Sequence, residues 1–285
     1  MIKQRIEAYG RLMRVHRPIG TYLVLWPSLW ALWIAGDGHP DGLILLVFVL
    51  GAFLMRSAGC VINDFADRSV DPHVTRTKSR PLATGEVSPK EALILFALLC
   101  LTAFLLVLLM NQLTIILSFV AVLLATVYPF MKRYTHWPQV FLGAAFGWSI
   151  PMAFAAQTNA VPVEAWILFV ANLCWVVAYD TMYAMADRDD DLRIGIKSTA
   201  VLFGKYDRPI IGLFQTSFIA LMIFAGLSFD LGAVFYLGLI AVLGLMVYHQ
   251  YLIRRRKHTE CIAAFLHNNF VGLVVFAAIV LDFSF

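Results

Sequence analysis

Residues 42–71 read GLILLVFVLGAFLMRSAGCVINDFADRSVD. The first part of this stretch, residues 42–62, is apolar except for Arg56 and a few small polar side chains, whereas residues 63–71 contain three aspartates. An apolar run of about 20 residues is long enough to cross a bilayer as an α-helix. The stretch therefore predicts a membrane-spanning helix that carries a group of carboxylates at one membrane surface.

The rest of the chain repeats this apolar pattern. Of the 285 residues, 61% are hydrophobic and only 14% are charged, whereas about a quarter are charged in a typical soluble domain. Length and hydropathy predict nine spans, at roughly 21–36, 42–62, 91–110, 113–131, 139–156, 164–185, 209–229, 231–252 and 262–283. We therefore expect an all-α polytopic membrane protein with nine transmembrane helices. Residues 1–285 are expected to form a single domain, with residues 1–20 as a charged cytoplasmic segment before the first span.

The basic residues predict the orientation of these spans. All 22 Lys and Arg residues fall on one side of the nine-span arrangement, and the loops on the other side contain none. Since cytoplasmic loops carry an excess of Lys and Arg, the N-terminus and the aspartate-rich segment are expected on the cytoplasmic side. This bias, together with contact with anionic lipid headgroups, explains the net charge of +4 without a nucleic-acid partner.

A second acidic segment follows the predicted sixth span. Residues 186–191 (ADRDDD) repeat the pattern of residues 66–71 (ADRSVD), and a basic loop follows each segment, at 76–81 and 193–198. Duplicated halves of membrane proteins often meet at a shared site. We therefore expect both segments to face one cavity.

Helical spacing predicts which side chains act together, because residues three, four or seven apart share a helix face. If the second span continues as a helix through its acidic segment, one face carries Arg56, Asn63, Asp67 and Asp71, with Asp64 beside it. The sixth span aligns Asp180, Tyr183, Asp187 and Asp191 in the same way. Arg56 is expected to pair with one of the acidic residues.

Carboxylates at this density indicate divalent cations, and nearby basic residues indicate an anion. Mg²⁺ prefers one or two carboxylates, several waters and the phosphate oxygens of a substrate. The basic residues available to such a substrate are Lys78, Arg80, Lys132, Arg133 and Lys197. Acidic and basic groups together predict a Mg²⁺-bridged diphosphate, whereas acidic groups alone would indicate Ca²⁺.

Two other interpretations remain open at this point. The aspartates of each segment could be solvated ends of membrane helices, where charge is inexpensive. They could also form the ion site of a cation-coupled transporter. Transporter sites usually lie near the bilayer midplane at broken helices, whereas these segments lie at the edge of their spans, which counts against a transporter.

Around these residues the chain resembles the UbiA family of intramembrane aromatic prenyltransferases. The similarity covers nearly the whole chain and includes residues 56–64 (RSAGCVIND), 79–82 (SRPL), 128–136 (YPFMKRYTH), 147–151 (GWSIP) and 179–187 (YDTMYAMAD). The aspartate segments are typical of the superfamily. The intervening stretches resemble the branch that acts on 4-hydroxybenzoate, and they fit the haem and chlorophyll branches less well. The Asp-Gly…Ala-Arg pattern of CDP-alcohol phosphotransferases is absent from both acidic segments.

The resemblance implies nine helices around a central cavity that opens laterally to lipid. It implies that the Mg²⁺ and diphosphate ligands are Asn63, Asp64, Asp67, Asp71, Asp187 and Asp191, with Arg133 helping to bind substrate anions. The further residues expected to bind substrate are Arg56, Lys78, Arg80, Lys132, Asp180, Tyr183 and Lys197.

The implied reaction transfers a polyprenyl group from polyprenyl diphosphate to 4-hydroxybenzoate, at the ring carbon meta to the carboxylate, and releases diphosphate. This step belongs to ubiquinone biosynthesis, and the implied location is the inner membrane of a bacterium with the active site on the cytoplasmic side. Another aromatic acceptor remains an alternative within the same family. The length of the prenyl chain is left open.

Overall fold

The computed structural model describes residues 2–73 and 77–285, and these residues contain helices but no β-strand. The α-helices are α1 (Ile2–Leu12), α2 (Ile19–Ala35), α3 (Gly42–Asp67), α4 (Pro89–Val107), α5 (Gln112–Met131), α6 (Pro138–Gly147), α7 (Ser149–Thr158), α8 (Val163–Ile194), α9 (Thr199–Phe203), α10 (Asp207–Ser228), α11 (Ala233–Leu252) and α12 (His258–Asp282). Short 3₁₀ helices form at Asp71–His73, Gly204–Tyr206 and Ile253–Arg255. The all-α prediction is confirmed.

Among the described residues, eight helical segments are long and apolar enough to cross a membrane. The remaining predicted span, 21–36, corresponds to α2, an apolar helix of 17 residues. Each predicted span thus coincides with a helical segment of the structure. The protein is a polytopic membrane protein, and the predicted number of nine spans holds if the shorter α2 is counted.

The predicted fifth span is two helices rather than one. α6 ends at Gly147 and α7 begins at Ser149, with Trp148 in a turn between them. Pro151 has no amide hydrogen to donate to Gly147, so the helix cannot continue unchanged through this point. The indole Nε1 of Trp148 donates to the carbonyl of Leu117 at 2.9 Å, which ties the turn to α5.

The first acidic segment leaves the α-helix earlier than expected. α3 ends at Asp67, and Asp71 begins a 3₁₀ helix after an intervening turn. Pro72 has no amide hydrogen to donate to the carbonyl of Arg68, so an α-helix cannot run through the segment. The expected alignment of Asp71 with Asn63 and Asp67 on one helix face is therefore wrong.

The second acidic segment does lie on one continuous helix. α8 runs from Val163 to Ile194 and contains Asp180, Tyr183, Asp187 and Asp191. It packs against α6, α10 and α12 at the centre of the protein. The spacing of its acidic side chains is thus the helical spacing that the sequence predicts.

Buried tryptophans connect the helices around α8. Trp30 on α2 and Trp175 on α8 pack with ring centroids 5.3 Å apart, and both are 0% exposed. Trp30 donates to the carbonyl of Gly272 and Trp175 to the side chain of Asn268, both at 3.0 Å on α12. A polar group in an apolar interior is costly unless it is hydrogen-bonded. These bonds therefore favour one arrangement of α2, α8 and α12.

The charged N-terminal segment forms a helix that the sequence did not predict. On α1, Ala8 and Leu12 are buried against Val61 of α3 and against Leu82 and Val87 of the following loop. This packing places the end of α1 beside the acidic segment of α3.

Candidate functional site

The three carboxylates of the first acidic segment are buried near the end of α3. Asp64, Asp67 and Asp71 are 1%, 6% and 3% exposed. Arg80 bridges two of them, because its Nη1 lies 3.0 Å from Asp64 Oδ1 and 2.9 Å from Asp71 Oδ2. Arg14 Nη2 lies 2.6 Å from the same oxygen of Asp64. Buried charges require such partners, because an unpaired buried carboxylate is strongly unfavourable.

The electrostatics of Asp71 reflect both burial and pairing. Burial raises the pKa of the Asp71 carboxyl above its ordinary value, and the charge of Arg80 partly offsets that rise. The nearby carboxylates of Asp67 and Asp64 raise it further. Like charges in this segment therefore repel one another, and additional positive charge would stabilise the cluster.

Lys132 lies between the two acidic segments. Its Nζ forms a salt bridge with Asp67, and it is also an electrostatic neighbour of Asp180 on α8. The carbonyl of Lys132 accepts a hydrogen bond from the backbone of Lys197 at 3.0 Å. The loop after α5 and the loop after α8 are thus joined at this residue. The positive charge of Lys132 acts on carboxylates of both α3 and α8.

Two of the other predicted basic residues bind backbone carbonyls near this point. Arg133 donates to the carbonyl of Ala66, and Lys197 donates from Nζ to the carbonyl of Tyr134 at 3.2 Å. Lys78 is exposed. Arg76 lies outside the described residues.

Residues of the second acidic segment have two different roles. Some lie at the candidate site, and one holds neighbouring helices together. Asp187 and Asp191 are partly buried on α8 and are electrostatic neighbours of Asp180. Arg188 lies on another side of the helix and pairs with the fully buried Asp207. Asp207 also accepts from Arg256 at 2.7 Å, so this ion cluster anchors the end of α8 to the start of α10 and to the loop before α12.

Arg56 does not form the expected pair with an acidic residue among those the structure describes. It donates instead to the Sγ of Cys60, four residues further along α3. The nearby carboxylates of Asp64 and Asp67 are taken by Arg14, Arg80 and Lys132. The Nε of Arg56 is buried and has no hydrogen-bond partner among the described residues. This guanidinium is therefore available to an additional acceptor.

A long apolar cavity begins beside Arg56. It is lined by residues of α2 to α7 and the loop after α4. On α3 the lining extends from Gly59 to Val47, which is about 18 Å along a helix axis. Asp64 lies five residues beyond Gly59, or about 7.5 Å along the same axis. The cavity thus has carboxylates and basic residues close to one end and an apolar interior.

The donor set fits Mg²⁺ together with a phosphate-bearing ligand rather than Mg²⁺ alone. In residues 2–73 and 77–285, no three His, Cys, Asp or Glu side chains form a ready group of metal ligands. Asp67 Oδ1 is buried, however, and has no hydrogen-bond partner within this part of the chain. Since Mg²⁺ uses one or two carboxylates and completes its shell with water and phosphate oxygens, this carboxylate suits such an ion.

Arg14 is a site residue that the sequence did not reveal. By position it belonged only to the basic residues that predict orientation, and it lies 50 residues from its partner Asp64. No spacing rule connects a residue in the turn after α1 with a residue on α3, so only the packing of α1 could have identified it.

Comparison with known proteins defines the class of this chain. Residues 24–276 match the UbiA prenyltransferase family, and the chain belongs to this family. A relative named 4-hydroxybenzoate octaprenyltransferase, from Nitrosococcus oceani, is 59% identical over 282 residues and covers 99% of both chains. A protein of the same name from Vibrio cholerae is 58% identical over 282 residues, again with 99% of both chains covered.

Solved structures have the same fold. The apo structure of a UbiA homolog from Aeropyrum pernix K1 matches with a TM-score of 0.80 and 24% identity, covering 91% of this chain and 97% of that one. A UbiA homolog from Archaeoglobus fulgidus, solved with GPP and Mg²⁺ bound, matches with a TM-score of 0.73 and 17% identity, covering 95% of this chain and 99% of that one. At these identities the likeness concerns the fold.

Proposed function

We propose that this protein transfers a polyprenyl group from polyprenyl diphosphate to the ring carbon meta to the carboxylate of 4-hydroxybenzoate, with release of diphosphate, in ubiquinone biosynthesis. The observation that carries the proposal is the position of Asp64, Asp67 and their basic partners beside one end of a long apolar cavity. A molecule with an anionic head and an isoprenoid tail fits both parts. Relatives of nearly 60% identity bear the name of this activity.

The diphosphate is bound between the two acidic segments. Asn63, Asp64, Asp67, Asp71, Asp187 and Asp191 would hold the metal. Bound Mg²⁺ would act as a Lewis acid that offsets the negative charge of the leaving diphosphate. Lys132, Arg133 and Arg80 contribute further positive charge, with Lys78 and Lys197 nearby on the loops. Their placement before the reaction stabilises charge where it develops.

The chemistry follows from the geometry of the cavity. The bond between the allylic carbon and the diphosphate oxygen breaks, and its electron pair leaves on the diphosphate. The electron-rich phenol ring attacks the allylic carbon and forms the new carbon–carbon bond, and a base then takes the proton from the same ring carbon, which restores the aromatic ring. The cavity lining, for example Phe48 and Phe104, excludes the water that would otherwise quench the cation.

The aromatic acceptor is positioned by the polar residues at this end of the cavity. Arg56 lines the cavity and has a buried Nε without a partner among the described residues. A guanidinium binds a carboxylate through parallel hydrogen bonds, so Arg56 binds the carboxylate of 4-hydroxybenzoate. Asp180 and Tyr183 on α8 orient the ring.

The reaction takes place on the cytoplasmic side of a bacterial inner membrane. The basic residues at the end of α3, after α5 and after α8 all lie on the side where cytoplasmic loops are expected. The diphosphate head is then reached from the cytoplasm, while the prenyl chain remains in the apolar part of the protein and the bilayer.

A transfer assay tests the proposal directly. Purified protein is given radiolabelled 4-hydroxybenzoate and polyprenyl diphosphates of graded length, with and without Mg²⁺. We expect Mg²⁺-dependent prenylated product and diphosphate, with several chain lengths accepted because the cavity is open. Absence of product, together with Mg²⁺-coupled uptake of a solute into vesicles, would instead support a transporter.

A further inference from the structure

The N-terminal helix α1 is attached to the site by ionic as well as apolar contacts. Arg5 pairs with Glu91 at 3.0 Å, and Tyr9 donates to the same carboxylate at 3.0 Å. Arg11 pairs with Glu86 in the loop before α4. Together with the burial of Leu12, these contacts fix α1 against the loop that also carries Arg80.

Arg14 follows directly after α1 and has an unusual backbone. Its φ of 54° lies in the left-handed region, which a residue with a Cβ rarely occupies. Its amide donates to the carbonyl of Arg11 at 3.0 Å. Such a conformation persists only where the surrounding structure imposes it, and it is concentrated at functional positions.

The side chain of Arg14 lies between the two halves of the site. It contacts Asp64 on α3, and its other electrostatic neighbours are Cys60 on α3, Tyr128 on α5 and Tyr183 on α8. Burial is the largest single influence and would lower the pKa of Arg14, but Asp64 together with Cys60, Tyr183 and Tyr128 raises it above its ordinary value. The guanidinium is therefore a fixed positive charge inside the proposed diphosphate site.

Two arginines share one oxygen of Asp64, and they are not equivalent. Arg80 also contacts both oxygens of Asp71, at 3.1 and 2.9 Å. It therefore keeps an ion-pair partner when the Asp64 carboxylate binds a metal ion instead. The side chain of Arg14 has only Asp64 as a hydrogen-bonded partner among the described residues. A metal ion that takes the Asp64 carboxylate therefore leaves Arg14, rather than Arg80, without a counter-ion.

We infer that Arg14 is a diphosphate-binding residue: it neutralises Asp64 in the resting protein and turns to the diphosphate when Mg²⁺ takes that carboxylate. The inference rests on the proposed function and adds a contact from α1 to it. The guanidinium needs to rotate only within the site, because the contacts of α1 hold its backbone in place. Arg14 therefore weakens the binding of Mg²⁺ alone, because both compete for the Asp64 carboxylate. It strengthens the binding of Mg²⁺ and diphosphate together, because it then contacts the diphosphate.

The test measures binding in the full-length purified protein, with Arg14→Gln as the main variant and Arg14→Lys as the charge-conserving one. Arg11→Gln is the matched control, because it removes an exposed arginine of the same segment that pairs with Glu86 outside the site. Calorimetry gives the affinity for Mg²⁺ alone and for inorganic diphosphate at fixed Mg²⁺. Kinetics give the KM of each substrate.

In Arg14→Gln we expect the affinity for diphosphate to fall, whereas the affinity for Mg²⁺ alone should not fall. Diphosphate should bind about tenfold more weakly, as expected for the loss of one charge-assisted contact, while Mg²⁺ alone should bind as tightly as before or more tightly. The KM for polyprenyl diphosphate should rise by about the same factor, with the KM for 4-hydroxybenzoate little changed. Arg14→Lys should recover much of the affinity, and Arg11→Gln should resemble the unsubstituted protein.

Two results would overturn the inference. Unchanged diphosphate affinity in Arg14→Gln would show that Arg14 does not bind this group. Equal weakening of Mg²⁺ and diphosphate binding in Arg14→Gln and Arg11→Gln, with a lower melting temperature in both, would show that Arg14 serves only to hold α1. Failure of the unsubstituted protein to transfer a prenyl group, with diphosphate binding intact, would contradict the proposed function instead.

Discussion

The guanidinium of Arg56 packs directly against Gly20, so closely that a Cβ at position 20 would lie 2.2 Å from Arg56 Nε. Gly20 is buried in the first turn of α2, and Arg56 comes from α3. The absence of a side chain at position 20 therefore determines where the cavity-lining arginine can lie.

Gly20→Ala is expected to displace Arg56 without unfolding α2, since alanine is a better helix former than glycine. A hydrogen bond to a charged group contributes about 1.5–3 kcal/mol, so kcat/KM for 4-hydroxybenzoate should fall about ten- to a hundredfold. Gly244→Ala on α11 is the control, because a Cβ there meets nothing within 4 Å. If both variants have unchanged kinetics, Arg56 does not depend on Gly20.

Lys132→Met should destabilise the protein and increase its response to Mg²⁺. Asp67 is only 6% exposed and would lose its nearer ion-pair partner, keeping Arg80 at 4.0 Å. Loss of one partner of a buried polar pair costs about 1–3 kcal/mol. Mg²⁺ can replace the missing positive charge, so it should raise the melting temperature more in this variant than in the unsubstituted protein. The exposed Lys90 provides the control as Lys90→Met, which should behave normally in the same thermal scans.

Asp67→Asn and Asp187→Asn should each reduce prenyl transfer by about a hundredfold or more, because each removes a charge that acts on the transition state. The double variant should lose little more than either single one, since residues that act as a unit are not additive. Full activity of either variant at saturating Mg²⁺ would refute the assignment of its acidic segment. Removal of Mg²⁺ with a chelator should reproduce the loss, and added Mg²⁺ should reverse it.

Ala121→Trp should obstruct the apolar cavity, which Ala121 lines on α5. We expect a higher KM for polyprenyl diphosphate and an unchanged affinity for inorganic diphosphate, because the obstruction affects only the chain. Leu123→Trp, two residues away, should leave both unchanged, as Leu123 is 60% exposed on the outer surface of the same helix. A normal KM in Ala121→Trp would show that the prenyl chain lies elsewhere.

The proposed orientation can be tested with single cysteines on the two sides of the membrane. Thr259→Cys at the start of α12 and Ala160→Cys after α7 are both exposed. A membrane-impermeant thiol reagent added to intact cells from outside should label position 160 but not position 259, and the pattern should reverse in inverted vesicles. The unsubstituted protein gives the background, because three of its four cysteines are buried.

Much of the fold could be predicted from the sequence because the bilayer imposes the same requirement on every span. About 20 apolar residues must be helical wherever they cross, so hydropathy located each membrane-spanning segment. Hydropathy could not locate the break at Trp148, because Pro151 interrupts hydrogen bonding without lowering apolarity. Pro72 ended the α-helical course of the first acidic segment for the same reason.

The candidate site could be predicted only where it lies along a single helix. The alignment of Asp180, Asp187 and Asp191 follows from spacing, because α8 is continuous through all three. The contact between Arg14 and Asp64 depends on how α1 packs, and no local pattern encodes it. The expected partner of Arg56 was wrong for a similar reason, since residues from other helices and loops had taken the carboxylates.

The length of α8 has a consequence for where two unlike substrates can meet. Its 32 residues make a helix about 48 Å long, whereas the hydrocarbon layer of a bilayer is about 30 Å thick. Because its charged residues are concentrated in the last turns, we expect Asp187 and Asp191 to lie past the hydrocarbon, in the hydrated headgroup layer. A benzoate is dissolved in water and a prenyl chain in lipid, so the two substrates share no solvent. The headgroup layer is the depth in the membrane that both can reach.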